Sequence, residues 1–340
     1  MKRKLFISFG MLCLLAIYSC RKDFDLHPGG PDPNDPTNLV SSSSHGELDT
    51  LATGFSFTEG PAVDKQGNIF FTDQPNDKIF KWNVATRSLS TFLTGTGRSN
   101  GMAFDKDGYL IACADMYGEL WKIAPDGTHT VLVNNYNGKR LNGPNDVWIN
   151  PVNGGIYITD PIFPRSYWAP GDPRQQGWEP THSEQAPTGK GGHVYYLAPG
   201  SNTLVRVTND AMGWDADSWP NGIVGTPDGK KLYVNKWKGD NMGGTWVFDI
   251  NAGGTLTNMR KFIDMGGDGM SMDERRNIYI SNGLGVTTFD PTGKKILSIP
   301  INGGATNNVF GGQNEKTLFI TGPATMLTSL KMNVRGVEKF

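Results

Sequence analysis

Apolar residues along this chain fall in short runs rather than at helical spacing. After the first 20 residues no window sustains apolar positions at i, i+3 and i+4; short β-branched and aromatic runs alternate instead with Gly, Asn and Asp turns. Six of these runs repeat one phrase, beginning at Ile69 (IFFTD), Leu110 (LIACAD), Ile156 (IYITD), Leu232 (LYVN), Ile278 (IYIS) and Leu318 (LFIT). Successive starts lie 41, 46, 76, 46 and 40 residues apart, and the third interval becomes 46 once the 30 residues from Pro161 to Lys190 are set aside as an insertion. A period in the forties with short strands is the mark of a β-propeller, one four-stranded blade per repeat. The pattern therefore predicts an all-β, six-bladed propeller; a sandwich or barrel gives no reason for a recurrent phrase.

Within a repeat, turns such as Asp64-Lys-Gln-Gly67 and Asp105-Lys-Asp-Gly108 separate an apolar pair from the phrase, a hairpin signal because Gly accepts positive φ. Upstream of each phrase by 10 or 11 residues stands a side chain ending in oxygen or amide: Glu59, Asn100, Asn145, Asn221, Asp268 and Asn307. That position begins the innermost strand of its blade, so all six are expected to converge on the central channel. Two carboxylates with carboxamides, and neither Cys nor His, make a hard-oxygen set suited to Ca²⁺, Mg²⁺ or Mn²⁺. Glu59 and Asp268, expected to face each other across the channel, would repel without a cation between them. The bland alternative is that Asn or Asp before a strand serves its own turn, a reading kept open chiefly for Asn100 and Asn307.

Composition narrows the function classes. Lys and Arg number 32 against 33 Asp and Glu, with no basic stripe, so nucleic-acid binding is not supported. Lys2, Arg3 and Lys4 precede an apolar stretch from Leu5 to Ile17, too short for a stable span, which reads as an export signal over 1–20. Ser19-Cys20 resembles a lipoprotein cleavage site with Cys20 lipidated, although Tyr18 departs from that pattern; the expected location is the periplasm or an outer-membrane tether, with plain secretion as the alternative. The Pro-, Gly-, Asp- and Ser-rich stretch 21–46 is expected to be a disordered tether, and 47–340 the folded unit, acting as a monomer. Cys113 is then the one cysteine inside the fold, which excludes an internal disulfide. No Gly-x-Ser-x-Gly occurs, and the five His are expected in the tether, turns or insertion, which disfavours serine catalysis.

The segments Thr58-Glu-Gly-Pro-Ala-Val-Asp64, Gly138-Lys-Arg-Leu-Asn-Gly-Pro-Asn-Asp-Val147, Thr159-Asp-Pro161, Pro220-Asn-Gly-Ile223, Asp268-Gly-Met270 and Phe310-Gly-Gly312 together resemble the gluconolactonase family, which also includes regucalcin and luciferin-regenerating enzyme. The resemblance implies one divalent cation in the channel, Ca²⁺ first and Mg²⁺, Mn²⁺ or Zn²⁺ as alternatives, and hydrolysis of a sugar lactone. By motif, Glu59, Asn221 and Asp268 match the metal ligands, Asn145 a residue that contacts metal or substrate, and Asp268 also the catalytic carboxylate. Asn100, Arg140 and Asn307 are further candidates for substrate contact, with surface charge as the alternative for Arg140. The insertion carries Phe163, Tyr167, Trp168 and Trp178; if its anchors face the metal, Trp168, with Trp237 from another loop, would form a wall for a sugar ring. Core packing is the alternative for the tryptophans. Rival readings are another esterase or phosphotriesterase activity at the same site, or a binding propeller whose ion is structural.

Overall fold

Each of the six apolar phrases forms the second strand of a four-stranded antiparallel sheet. These sheets come from a computed structural model, which describes residues 38–44, 47–161, 163, 192–214, 219–238, 241–323 and 326–338. Strand β1 (Asp49–Thr53) comes first in the chain and is used last. Blade one holds β2 (Thr58–Val63), β3 (Ile69–Asp73), β4 (Lys78–Asn83) and β5 (Ser88–Thr94); blade two holds β6 (Met102–Phe104), β7 (Leu110–Ala114), β8 (Glu119–Ile123) and β9 (His129–Val133). A small hairpin of β10 (Asn135–Tyr136) and β11 (Lys139–Arg140) leads into blade three, β12 (Val147–Ile149), β13 (Ile156–Asp160), β14 (His193–Leu197) and β15 (Leu204–Arg206). Blade four is β16 (Trp219–Gly225), β17 (Lys231–Lys238), β18 (Asn241–Ile250) and β19 (Leu256–Ile263), and blade five is β20 (Met270–Met272), β21 (Ile278–Asn282), β22 (Gly285–Phe289) and β23 (Lys295–Pro300). Blade six combines β24 (Asn307–Gly311), β25 (Thr317–Gly322) and β26 (Met326–Lys331) with β1, Asp49 pairing with Ser329. Innermost strands touch in the order β2, β6, β12, β16, β20, β24 and back to β2, which closes a six-bladed propeller.

Burial explains why the phrases read as unbroken apolar runs instead of alternating ones. Second strands lie between two neighbouring blades, so both faces are covered; β3 and β7 are buried at every position, whereas the outer strand β5 is exposed over its first half. Core clusters accordingly span blade boundaries: Phe70 and Ile79 of blade one pack with Met102, Leu110 and Trp121 of blade two. The turn reading holds: Gly67, at φ +80°, donates its N–H to the Asp64 carbonyl at 2.8 Å, while Asp64 Oδ1 accepts from Gln66 and Asn68.

The start of the packed chain differs from expectation. Leu39 is 1% exposed in a cluster with Phe310, Leu318 and Leu330, Val40 bridges Met332, and Asn333 Nδ2 donates to the Val40 carbonyl at 3.0 Å. A single Leu-Val pair in a polar tract thus finds a seat on blade six, and packing begins by residue 38, ahead of Glu47. The expected signal, Cys20 and the rest of the expected tether, apart from 38–44, lie outside the described residues. Among the described residues no helix is long and apolar enough to cross a membrane.

Candidate functional site

All six upstream residues stand where the innermost strands begin, at one end of the channel, here called the mouth. Glu59 is 3% exposed; its Oε2 accepts from the Gly60 N–H at 2.9 Å and from Asn307 Nδ2 at 3.2 Å, across the boundary between blades one and six. At three of these positions the glycine that follows laces neighbouring repeats together. The Gly101 N–H donates to the Asn145 carbonyl at 2.6 Å, that of Gly222 to the Asp268 carbonyl at 3.1 Å, and that of Gly269 to the Thr306 carbonyl at 2.7 Å. Such approach needs glycine: a Cβ on Gly60 would lie 1.9 Å from the Asn100 carbonyl oxygen, and one on Gly222 would lie 2.1 Å from that of Asp268.

Two of the positions are set by bulges. Register slips between Glu59 and Ala62 in β2 and between Pro220 and Ile223 in β16, so the Gly-Pro and Asn-Gly steps interrupt the ladder beside Glu59 and Asn221. A bulge re-aims the side chain next to it, a common device at sites. Asn100, Asn145 and Asn221 are 4%, 6% and 5% exposed, yet their carboxamides make no hydrogen bond to the described residues. Buried amides are ordinarily paired within the protein, so three without protein partners at one end of a channel mark a place for a ligand.

Electrostatics single out the acids. Burial, and after it the negative charge of Asp268, pushes the Glu59 carboxyl well above its ordinary range, and Asp146 adds to the effect. Glu59 and Asp268, expected to face each other across the channel, are next-but-one neighbours around the ring. They belong to blades one and five, with Asn307 of blade six between them, because cyclic strand order and not sequence separation sets who faces whom. Among the described residues no cluster of three or more Asp, Glu, His or Cys is placed to hold a metal. The donors are two carboxylates and amide oxygens.

Asp146 was missed by the sequence reading. It occupies the position where four other repeats have Gly60, Gly101, Gly222 and Gly269, and that break in the pattern is the signal that could have found it. Its carboxylate accepts from the Val147 N–H at 2.9 Å and from the Ile223 N–H of blade four at 3.3 Å, and its Oδ1 fills the space a Cβ on Gly101 of blade two would need. Burial raises its carboxyl to about 7 despite the hydrogen bonds, including one from Asn307, that favour the anion.

Other candidates divide between the mouth, the rim and the core. Arg140 Nη2 donates to the Met116 carbonyl at 2.7 Å and its side chain packs on Gly118, which ties it to the rim between blades two and three. The insertion's anchors do face the mouth: Asp160 ends β13 beside Thr159, whose carbonyl accepts from the Asn145 N–H at 2.8 Å, and Asp160 itself accepts from the N–H groups of Asn142 and Gly143. Phe163 meets Trp219 edge to face at 5.6 Å, so an aromatic pair stands two residues from Asn221. Trp168 lies outside the described residues; the backbone of Trp237 pairs with Trp219 at the mouth, and its side chain is outside them too. Trp214, 0% exposed with Nε1 bonded to the Gly192 carbonyl, is core. His129 and His193 begin strands β9 and β14 instead of lying in turns or the insertion; burial holds His193 down at about 4, so it is neutral at pH 7. Burial pushes the Cys113 thiol up, leaving it inert.

Residues 57–323 match the SMP-30/Gluconolactonase/LRE-like region. The chain belongs to that family. A gluconolactonase from Zymomonas mobilis is 28% identical over 302 residues, covering 81% of this chain and 78% of the relative. The solved structure of a gluconolactonase from Xanthomonas campestris superposes with a TM-score of 0.70 at 29% identity, covering 84% of this chain and 89% of that one. Regucalcin from Agrobacterium tumefaciens, described as a calcium-binding protein, shares the fold at 19% identity and a TM-score of 0.63, over 84% of this chain and 94% of that one.

Proposed function

We propose that this family member hydrolyses a sugar lactone at the channel mouth, with a divalent cation held by Glu59, Asn145, Asn221 and Asp268. The observation that carries the reading is the buried Glu59 carboxyl, destabilised as an anion by burial and by Asp268, beside amides without protein partners. A hard cation fits that donor set because it neutralises both carboxylates and takes amide oxygens without adding charge. Bound there, it would polarise a lactone carbonyl and acidify a water.

The chain's own residues do the rest. Asp268, at the edge of the buried ring, accepts the proton of the attacking water with a carboxylate oxygen. As the water oxygen bonds to the carbonyl carbon the ring C–O bond breaks, and the proton passes from Asp268 to the departing alkoxide, so one water is added in total. Asn307, held against Glu59, and Asn100 line the same ring and offer hydrogen bonds to sugar hydroxyls. The Phe163–Trp219 pair supplies an apolar wall at the mouth. The donor chemistry suits Ca²⁺, Mg²⁺ or Mn²⁺ and the family resemblance puts Ca²⁺ first; the lipoprotein signal read at Cys20 supports a reaction outside the cytoplasm.

The test is turnover of glucono-1,5-lactone after chelation and after adding back Ca²⁺, Mg²⁺, Mn²⁺ or Zn²⁺. Activity is expected to vanish with the chelator and return with at least one ion. Asp268→Asn is expected to lower turnover on the order of 100-fold or more, as loss of a general base does, while ion-dependent melting persists. Lactone turnover that ignores the chelator would end the metal reading, and none with any ion would end the lactonase reading.

A further inference from the structure

The rim of the mouth changes character around the ring. Over blade one it is polar and its amides are engaged within the protein: Gln74 Nε2 donates to Asp115 Oδ2 at 2.8 Å, and Asn76 Nδ2 to Asp73 Oδ2 at 2.7 Å. Over blades four and five it is apolar. Trp219, half-buried, opens β16 two residues ahead of Asn221, roughly 7 Å nearer the end of the strand. The half-buried Phe163 meets its indole edge to face, with 86° between the ring planes, which fixes the orientation of both. Leu284 stands at the tip of the β21–β22 hairpin and is 81% exposed. A lone exposed leucine is ordinary, but this one is held in place: its N–H donates to Asn282 Oδ1 at 2.8 Å and its carbonyl accepts the Ile301 N–H at 3.1 Å. Its hairpin is also the one that carries Ser281, whose carbonyl accepts the Asp268 N–H at 2.8 Å.

We propose that this apolar arc is a second sugar subsite, so that the substrate is a disaccharide lactone whose further sugar is joined on the side of the departing ring oxygen, through O4 or O6. The proposal rests on the lactonase reading and follows from the way the lactone ring must lie in it. There Asp268 returns the proton to the departing ring oxygen, so that oxygen faces blade five. In a 1,5-lactone the ring oxygen is bonded to C5, which bears C6 and adjoins C4. Substituents on those carbons therefore leave the hub over the arc from Asn221 to Asp268, where Trp219 and Leu284 stand. A hexose carries its hydroxyls around the edge and C–H groups on its faces. A second ring can thus lay one face on the indole and on Leu284 while its hydroxyls stay in water, an arrangement the polar rim over blade one does not offer.

The test compares KM and kcat for cellobiono-1,5-lactone and glucono-1,5-lactone, with the ion that supports turnover. Contacts remote from the reacting carbon hold ground state and transition state alike, so the disaccharide is expected to show a lower KM at similar kcat. The expected gain is about three- to tenfold, the scale of one aromatic contact. Trp219→Ala and Leu284→Ser are each expected to narrow the ratio of the two kcat/KM values, and together to bring it near one. Leu284→Ser changes an exposed tip, so it keeps the comparison decisive if Trp219→Ala fails to fold. A ratio at or below one in the unaltered protein would overturn the subsite while leaving the lactonase reading in place, as would a preference that survives the substitutions. Turnover of neither lactone would end both.

Discussion

Asp160 shows how a motif residue can serve the site without touching it. Its carboxylate accepts the N–H groups of Asn142 at 3.1 Å and Gly143 at 2.9 Å, and so holds the loop that delivers Asn145 to the hub. Burial lifts its carboxyl from 3.8 to about 7 even against those hydrogen bonds. Between those values the folded chain binds more protons than the unfolded one, so this group subtracts stability as pH rises through that window, and the loss stays in place above it. Replacing it with Asn keeps an acceptor and removes the titration. Asp160→Asn is therefore expected to show a shallower fall in urea-unfolding free energy from about pH 4 to about pH 7 than the unaltered protein, and an equal or steeper fall would contradict the burial argument. Residue position was largely legible in the sequence: Glu59, Asn145, Asn221 and Asp268 all stand where innermost strands begin. Asp146 was not, because a residue breaking a Gly pattern has meaning only once the space that pattern leaves is known.

At the scale of elements, the inner strands are held by backbone contacts that leave no room for side chains. A Cβ on Gly101 would lie 2.2 Å from Asp146 Oδ1 and 2.6 Å from its Cα, and backbone cannot step aside as a flexible side chain can. Gly101→Ala is expected to cost about 1–3 kcal/mol or more by overpacking and to weaken cation binding, since Asn100 and Asn145 flank the contact. Gly253, with nothing within 4 Å and no positive φ, is the control, expected to stay within about 0.5 kcal/mol as alanine. Chemical denaturation with calorimetric ion titration of both variants checks this. Strand identity was readable because second strands covered on both faces leave unbroken apolar runs. The bulges at Gly60-Pro61 and Asn221-Gly222 were not, since nothing local distinguishes a bulge from a turn until the partner strand is laid beside it.

For the whole molecule, closure of the ring is the step the chain makes last in space and first in sequence. β1 supplies the outer strand of blade six, and Leu39 just ahead of it fills that blade's core. A chain shortened to begin after Thr53 would leave β26 as an open edge with unpaired backbone groups, a template for association with other chains. Such a chain is expected to melt at lower temperature and to self-associate in light scattering, while keeping residual secondary structure from the five blades that need no help. An unchanged melting temperature would show that the closing strand is dispensable.

From the chain alone came the number of blades, the identity of their second strands and the kind of atoms at the hub, because these are recorded in period, burial and residue type, all local properties. Tertiary structure alone decided that Asn307 stands between Glu59 and Asp268, that Arg140 is tied to the rim, that Asp146 joins the ring and that Leu39 belongs to the last blade. Those outcomes depend on which strands become neighbours when the ring closes, and distances between neighbours in space are not carried by distance along the chain.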